Sequence, residues 1–260
     1  MQDGIIARAA QRLRDAQTSG QPCEPIRSLF EEKDLTSAYA VKAYNQKIWQ
    51  QHRQRVGCKI GITSVAVQNF LGMTEPDYGF LYRDMYIQSG GNLSRGSVYM
   101  PKLEVEIGLV LGKNIDILAP TKADIIDAIE YATPVFEVVD SRILNWDVHA
   151  VDTIADNGSS GLFVSGEARA PLDSFDFKAC QMSLLCNGEI IAKGNAIENL
   201  GDPIEHAVWL GAKLAAIGSP LMAGDILLTG ALAPMIDMNE GDNYQANIEG
   251  LGSVVLSVVA

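Results

Sequence analysis

The sequence predicts an α+β fold in which a small helical lobe precedes a β-rich domain. Apolar residues follow helical spacing in the first 56 positions, and strand-like segments dominate from residue 57 onward. The strands do not alternate regularly with helices, which argues against a Rossmann sheet and against a TIM barrel. The 260 residues are enough for a well-buried core. We therefore expect a helical N-terminal lobe at residues 1–56 and a β-rich domain at residues 57–260.

Two amphipathic helices are predicted in the N-terminal lobe. The first spans residues 3–17, with Asp3 as its N-cap. Its apolar face comprises Ile6, Ala9, Ala10 and Leu13. The second spans residues 36–55, and its apolar side chains are Tyr39, Val41, Tyr44, Ile48 and Trp49. These faces predict a small lobe held together by helix packing.

Strand character begins in the segment "GCKIGIT". The predicted strands are 57–63, 79–88, 101–112, 134–140 and about 160–165. Ser64 opens a short helix between the first two strands. Thr121 is the predicted N-cap of a helix that runs to residue 132. The β-rich domain therefore contains a few helices inserted between strands.

The last third of the chain has clear turn and cap signals. Asn187-Gly188 is the strongest hairpin signal in the sequence. A helix follows with Asp202 as N-cap, Pro203 at its first position and Glu205 completing a capping box, and it ends at Gly218. The remaining C-terminal segment is again strand-like.

Charge and composition exclude several classes of protein. The 32 acidic residues outnumber the 20 basic ones, giving a net charge of −12, whereas a nucleic-acid backbone requires clustered lysine and arginine. The polar N-terminal helix does not resemble a signal peptide, and no apolar run reaches membrane-spanning length. The four cysteines and three histidines lack metal-site spacing. We expect a cytoplasmic protein with structural thiols and without a zinc site.

Two carboxylates lie within the apolar segment "PKLEVEIGLVLGK". Glu104 and Glu106 are two residues apart, so in a strand both point to the same face, and Leu103, Val105 and Ile107 occupy the other. On this pattern alone, a half-exposed strand with its polar face in water is the simpler interpretation. The alternative is a binding site for a cation.

Three further features favour a site. Glu137 is enclosed by apolar residues, and a buried carboxylate needs a partner or a metal; three carboxylates suit a hard divalent cation. Lys59 is a single cation in an apolar strand, although an edge-strand position would also explain it. The segment 151–166 contains "DNGSSG", which brings backbone N–H groups close to a ligand or forms an ordinary polar turn. No P-loop, G-x-S-x-G or G-x-G-x-x-G motif is present.

Six segments in order carry a family resemblance: "CKIGITS", "EPDYGFL", "PKLEVEIGLVL", "FEVVDSRI", "DTIADNGSSG" and "ILLTGAL…GD…IEGLGSV". Together they resemble the 2-oxopent-4-enoate (2-hydroxypentadienoate) hydratase group of the fumarylacetoacetate hydrolase superfamily. The resemblance extends from about residue 35 to the C-terminus. It implies that the β-rich part is a catalytic domain built as a mixed β-sheet roll.

The resemblance also implies the residues of an active site. The group binds Mg²⁺ or Mn²⁺, and the residues that match its metal ligands are Glu104, Glu106 and Glu137. Lys59 matches the active-site lysine, and Asp77 matches an acid near the substrate that positions or activates water. The residues expected to bind substrate are Asn157, Ser159, Ser160, Thr229 and Gly230, with Ser160 favoured for a direct contact.

The implied reaction is the addition of water to 2-hydroxypenta-2,4-dienoate, which gives 4-hydroxy-2-oxopentanoate in the meta-cleavage degradation of aromatic compounds. The alternatives are a decarboxylase of 4-oxalocrotonate (2-oxohex-3-enedioate), a hydratase of a longer 2-hydroxydienoate and a non-catalytic partner subunit. A dicarboxylic substrate needs an added cation, and the motif segments contain only Lys59, Lys102 and Arg142, which favours the monocarboxylic substrate.

The resemblance also implies that the protein forms an assembly. Members of the group are expected to form homo-oligomers, pentamers or decamers, and to associate with a decarboxylase or an aldolase of the pathway. Acylpyruvate hydrolases of the superfamily use a His–Glu pair near the start of the core, and this sequence has none. A hydrolase is therefore not expected.

Overall fold

The computed structural model of the protein describes residues 2–199 and 201–260. Its helices are α1 (Gln2–Ser19), α2 (Leu35–Trp49), α3 (Val65–Leu71), α4 (Lys122–Ala128), α5 (Ala150–Ala155), α6 (Ala196–Asn199) and α7 (Pro203–Ala216). Its strands are β1 (Arg55–Gly61), β2 (Asp77–Tyr82), β3 (Tyr86–Gln88), β4 (Asn92–Ser94), β5 (Lys102–Leu111), β6 (Ile129–Val139), β7 (Ser160–Ser165), β8 (Met182–Cys186), β9 (Glu189–Gly194), β10 (Ile226–Ala231), β11 (Ile236–Asp237), β12 (Asn243–Ile248) and β13 (Gly252–Val259). Within these residues, every helix is too short or too polar to span a bilayer.

Two mixed sheets form the β-rich part. In the larger one the strand order is β2-β1-β10-β5-β6-β7-β3, with β11 paired to β5, and in the smaller one it is β4-β13-β12-β8-β9. The sheets share one apolar core, to which Leu109 of β5, Phe136 of β6 and Val254 of β13 contribute. Helices α4 and α7 pack on the same core. The predicted α+β class with mixed sheets is confirmed.

The larger sheet curls because its edge strand β2 is tied to the start of β7. The Asn157 amide donates to the carbonyl oxygen of Phe80 at 2.9 Å and accepts from the Phe80 N–H at 2.8 Å. The side chain of Asn157 thus pairs with β2 in the place of a backbone strand. This closure gives the sheet the form of a roll.

A second apolar cluster lies between the N-terminal helices and α5. Leu13 of α1, Val41 of α2 and Ile154 of α5 are buried in it. The face of α2 differs from the predicted one, because Tyr44 is largely exposed whereas Lys42 and Asn45 are buried. The helical lobe therefore packs against a helix of the β-rich part, and the division at residue 56 stays a prediction.

Two predicted helix ends were wrong. The helix from Thr121 stops at Ala128, and Ile129–Ala132 belong to β6, where Ala132 pairs with Leu109 of β5. Long-range strand pairing there outweighs local helical preference. The second predicted helix stops at Trp49 instead of residue 55, since Arg55 already pairs with Tyr82 in the larger sheet.

Most turn and cap predictions are confirmed. Ser64, Thr121 and Asp202 each accept a backbone N–H at a helix start, and Asn187-Gly188 turns the β8–β9 hairpin with both φ angles positive. Asp3 instead lies inside the first turn of α1. Glu205 does not complete a capping box but forms an ion pair with Lys122 at 2.6 Å.

Candidate metal centre and active site

Three glutamates converge on one point at the centre of the larger sheet. Glu104 and Glu106 project from the same face of β5, and Glu137 lies directly opposite Glu104 on β6. One carboxylate oxygen from each residue lies within 4.8 Å of the others. The apolar residues Leu103 and Val105 anchor the opposite face of β5 in the core.

Several carboxylate oxygens of this cluster lack a hydrogen-bond donor. Oε2 of Glu106 accepts from the N–H of Gly230 at 2.6 Å, whereas Oε1 of Glu106 and both carboxylate oxygens of Glu137 are buried without a hydrogen bond. Buried polar atoms are normally satisfied, so carboxylate oxygens that converge on one point without a hydrogen-bond donor fit a bound cation. An all-oxygen donor set suits a hard divalent ion such as Mg²⁺. The residues present therefore fit a divalent metal.

The electrostatics of the cluster support the same interpretation. Burial and the charge of Glu137 raise the pKa of Glu104 to about 7, while Lys59 acts in the opposite direction. Burial also raises the pKa of Glu106 well above its ordinary value. Both shifts favour the protonated acids, and a divalent ion would compete with those protons.

Lys59 on β1 reaches the same cluster. Its Nζ lies 3.3 Å from Oε1 of Glu137. Burial favours the neutral amine, but the surrounding carboxylates, Glu137 first, raise the pKa of Lys59 above its ordinary value. The ammonium form is therefore the stable one.

Glycines make the space that Lys59 occupies. On β1 and β2, Lys59 pairs with Gly79 and Gly61 pairs with Asp77, so these four positions share one face. A Cβ atom on Gly158 would lie 2.6 Å from Cε of Lys59, and one on Gly61 would lie 3.2 Å from Nζ. Gly158 also has a φ of 66°, which glycine adopts without strain.

Asp77 lies on the same face as Lys59 and is held from the helical lobe. Its Oδ1 accepts from Nζ of Lys42 at 2.9 Å, and its Oδ2 is buried without a partner. Lys42 is buried as well. Asp77 therefore keeps one carboxylate oxygen unengaged.

A cavity of about 590 Å³ opens onto these groups. Lys59, Asp77 and Glu104 line it, and Lys59 is the only lysine or arginine among the described residues that do so. Most of the other side chains in the lining are apolar: Ile60, Ile62, Val67, Leu71, Val139, Trp146, Val148, Ala231, Ala233, Pro234 and Met235. The arrangement suits a small anion with an apolar remainder.

The five residues predicted to bind substrate fall into two groups. Ser159 and Gly230 line the cavity. The other three lie behind the lining: Asn157 binds Phe80, Ser160 Oγ donates to the Asn157 carbonyl oxygen at 2.9 Å, and Thr229 Oγ1 donates to that of Ile107 at 2.9 Å. These three side chains fix backbone that shapes the cavity, and a direct substrate contact by any of the five stays a prediction.

Several residues at this site were not predicted from the sequence. His149, Thr153 and Trp146 line the cavity; Trp146 and His149 precede the short helix α5 and Thr153 lies within it, and none of them belongs to a motif. Lys42 had a detectable signal, because it lies four residues after Ala38 and next to Val41 on one helical face. A lysine on the apolar face of a helix is expected to be buried, and a buried ammonium needs an anionic partner.

Comparison with known proteins agrees with this geometry. The family model "Fumarylacetoacetate (FAA) hydrolase C-terminal" matches residues 50–259. The chain is 44% identical over 247 residues to "2-keto-4-pentenoate hydratase 2" of Dechloromonas aromatica (strain RCB), covering 95% of this chain and 94% of the relative. It is also 44% identical over 252 residues to "TodF product hydratase" of Pseudomonas putida (strain F1), covering 96% and 94%.

Solved structures add the fold and a metal. The 4-oxalocrotonate decarboxylase from Pseudomonas putida G7, complexed with magnesium and adipate, superposes with a TM-score of 0.93 at 28% identity, covering 100% of this chain and 98% of that one. The same enzyme is also known with calcium and acetate, so a divalent cation belongs to this architecture. The chain belongs to the fumarylacetoacetate hydrolase family, and within it to the group of the 2-keto-4-pentenoate hydratases.

Proposed function

We propose that the protein is a divalent-metal-dependent hydro-lyase that adds water to 2-hydroxypenta-2,4-dienoate, the enol form of 2-keto-4-pentenoate, in the meta-cleavage degradation of aromatic compounds. The observation that carries this proposal is the convergence of Glu104, Glu106 and Glu137 beside Lys59 at the cavity. The identity of 44% to two curated hydratases over nearly the whole chain supports the reaction type. The product is 4-hydroxy-2-oxopentanoate.

The cavity favours a substrate with one carboxylate. A second carboxylate on the substrate would need its own positive partner to offset the cost of leaving water. Among the described residues of the lining, Lys59 is the only lysine or arginine, and most other side chains are apolar. A five-carbon dienoate places a hydrocarbon end against such a wall. The same argument disfavours the decarboxylase reaction on 2-oxohex-3-enedioate.

The reaction begins with a proton shift within the substrate. The C2 hydroxyl loses a proton and C5 gains one, which gives 2-oxopent-3-enoate. A Mg²⁺ ion held by the three glutamates would act as a Lewis acid that favours negative charge on the C2 oxygen. The ammonium of Lys59 is placed to bind the substrate carboxylate or to move the proton.

Water then adds to the enone. The water oxygen forms a bond to C4, one water proton passes to a base, and C3 gains a proton. Asp77 is the base that fits, because among the described residues that line the cavity it is the acid that is not a candidate metal ligand. The backbone around Ser159 and Gly230 completes the wall that keeps other water out. The net reaction adds one molecule of water to one molecule of the dienoate.

Assembly and setting extend the proposal. A homo-oligomer, pentameric or decameric, and an association with a decarboxylase or an aldolase of the pathway remain predictions of the family resemblance, as does a cytoplasmic location. The three carboxylate ligands suit Mg²⁺ or Mn²⁺.

Turnover with purified protein tests the proposal. The protein is freed of metal with a chelator, reloaded with Mg²⁺ and given 2-hydroxypenta-2,4-dienoate or 2-oxohex-3-enedioate in parallel. We expect loss of the dienol absorbance and formation of 4-hydroxy-2-oxopentanoate from the first substrate only. Release of CO₂ from the second substrate without water addition to the first would identify a decarboxylase. Turnover only after adding a second protein would identify a partner subunit.

A further inference from the structure

Lys42 of α2 reaches from the helical lobe into the active site. Its side chain is fully buried, and Nζ donates to Oδ1 of Asp77 at 2.9 Å and to the carbonyl oxygen of Tyr78 at 2.6 Å. The ammonium also lies over the ring of Tyr78, 3.6 Å from its centroid. Burial lowers the pKa of Lys42, and the charge of Asp77 acts against that effect. These contacts fix the ammonium in one place.

The partner of Lys42 is held by one oxygen only. Oδ1 of Asp77 is engaged, whereas Oδ2 is buried and has no hydrogen-bond partner. A buried charged group needs a partner of opposite charge. The ammonium of Lys42 is that partner, and its bond to Oδ1 fixes the carboxyl group of Asp77 at the wall of the cavity.

Lys42 also completes the charge balance of the site. Glu104, Glu106, Glu137 and Asp77 are four carboxylates, and Lys59 and Lys42 are the two ammonium groups that act on them. When all are ionised, the formal charge left is −2, which one divalent cation neutralises. Without Lys42 the remainder would be −3, which one divalent cation does not neutralise.

We propose that Lys42 is a positioning residue for the hydration reaction, which holds the side chain of Asp77 in the orientation that activation of water requires. The inference rests on the proposed function. It also assigns the helical lobe a part in the chemistry, since Lys42 lies outside residues 50–259 that match the family model.

A double-mutant cycle on the Mg²⁺-loaded full chain tests this role. The variants are Lys42→Met, Asp77→Asn and the two combined, with kcat and KM measured on 2-hydroxypenta-2,4-dienoate. We expect Lys42→Met to lower kcat about 100-fold, the scale of a lost general base, and to leave KM and the calorimetric Mg²⁺ affinity near those of the wild type. In the Asp77→Asn background, Lys42→Met should cause no further loss of kcat.

Lys213→Met is the matched control. Lys213 lies over the ring of Tyr39, as Lys42 does, but it pairs with Glu75, which does not line the cavity. We expect this variant to keep the wild-type kcat. If Lys42→Met fails to fold by circular dichroism, the double variant decides, because it removes both charges of the pair.

The outcomes separate the two proposals. A wild-type protein that does not turn over the dienoate contradicts the proposed function and the role of Lys42 with it. An active wild type with an equally active Lys42→Met overturns the role of Lys42 alone. A double variant with a much lower kcat than Asp77→Asn overturns it too, because Lys42 would then act independently of Asp77.

Discussion

Glu104 and Glu137 lie directly opposite each other on the antiparallel strands β5 and β6. Two carboxylates in this relation repel each other and destabilise the strand pair. Among the described residues, no hydrogen bond reaches the carboxylate oxygens of Glu137, and Lys59 is the cation that offsets the repulsion. A divalent cation held by the pair would offset it further, and this has measurable consequences.

Glu104→Gln is expected to stabilise the metal-free protein and to weaken metal binding. At pH 8, above the raised pKa of Glu104, removing one of two opposed charges should add about 1 kcal/mol to the free energy of unfolding, which raises Tm by about 2–4 °C in a chain of this size. The increase in Tm that Mg²⁺ causes in the wild type should be lost. Thermal melts with and without Mg²⁺ measure both effects, and a variant less stable than the wild type without metal would contradict the repulsion.

The effect of metal on stability should grow with pH. The pKa of Glu104 is raised from its ordinary value of 4.5 to about 7. Between those values the folded protein binds more protons than the unfolded one, so the metal-free protein loses stability as pH rises through this window. Since Mg²⁺ competes with the same protons, its stabilising effect should be larger at pH 8 than at pH 6. Melting curves at the two pH values, each with chelator or excess Mg²⁺, check this; an equal metal effect would rule out the proton competition.

Gly79→Ala should damage the site by moving the Asn157 loop. A Cβ atom at this position would lie 2.2 Å from the Asn157 carbonyl oxygen and 2.4 Å from Oγ of Ser160. We expect a loss of stability of about 1–3 kcal/mol together with a lower kcat. Gly4→Ala in α1 is the control, because a Cβ there meets no atom within 4 Å. That variant should be as stable as the wild type or more so, as a urea titration will show.

Lys59→Met should abolish turnover without loss of the fold. The ammonium lies 3.3 Å from Glu137 and lines the cavity. In the part of the chain that the structure describes, its loss leaves the cavity without a lysine or arginine to bind a substrate carboxylate. We expect kcat/KM to fall by at least 100-fold. Lys113→Met is the control, since Lys113 forms an exposed pair with Asp127 and such pairs contribute little. Steady-state kinetics on the dienoate will compare the two; equal activities would remove Lys59 from the site.

The sequence predicted those features that depend on local periodicity. Alternation along a strand places Glu104 and Glu106 on one face, and the structure brings both to Glu137. Caps at Ser64 and Thr121 follow from residues three positions apart. The family resemblance supplied Lys59 and Asp77, which composition alone would have left as an edge-strand lysine and an ordinary loop acid.

Features that depend on distant partners were not predictable. Ile129 continues an amphipathic helix by its spacing, but β5 provides strand partners that override it. Asn157 was expected at a substrate, whereas its amide binds Phe80, 77 positions earlier in the chain. Lys42 donates a hydrogen bond to Asp77, which lies 35 positions later in the chain. Side-chain hydrogen bonds over such separations leave no periodic trace in a sequence.

The surplus of carboxylates over ammonium groups at the cavity sets the order in which the site fills. Without a cation, the net negative charge of these groups repels the carboxylate of the substrate. The substrate anion should therefore bind more tightly after the cation has bound. By reciprocity, a bound acid must tighten the hold on the cation by the same factor. Cation and substrate acid are therefore coupled ligands, and the protein should bind its metal most tightly when the substrate is bound.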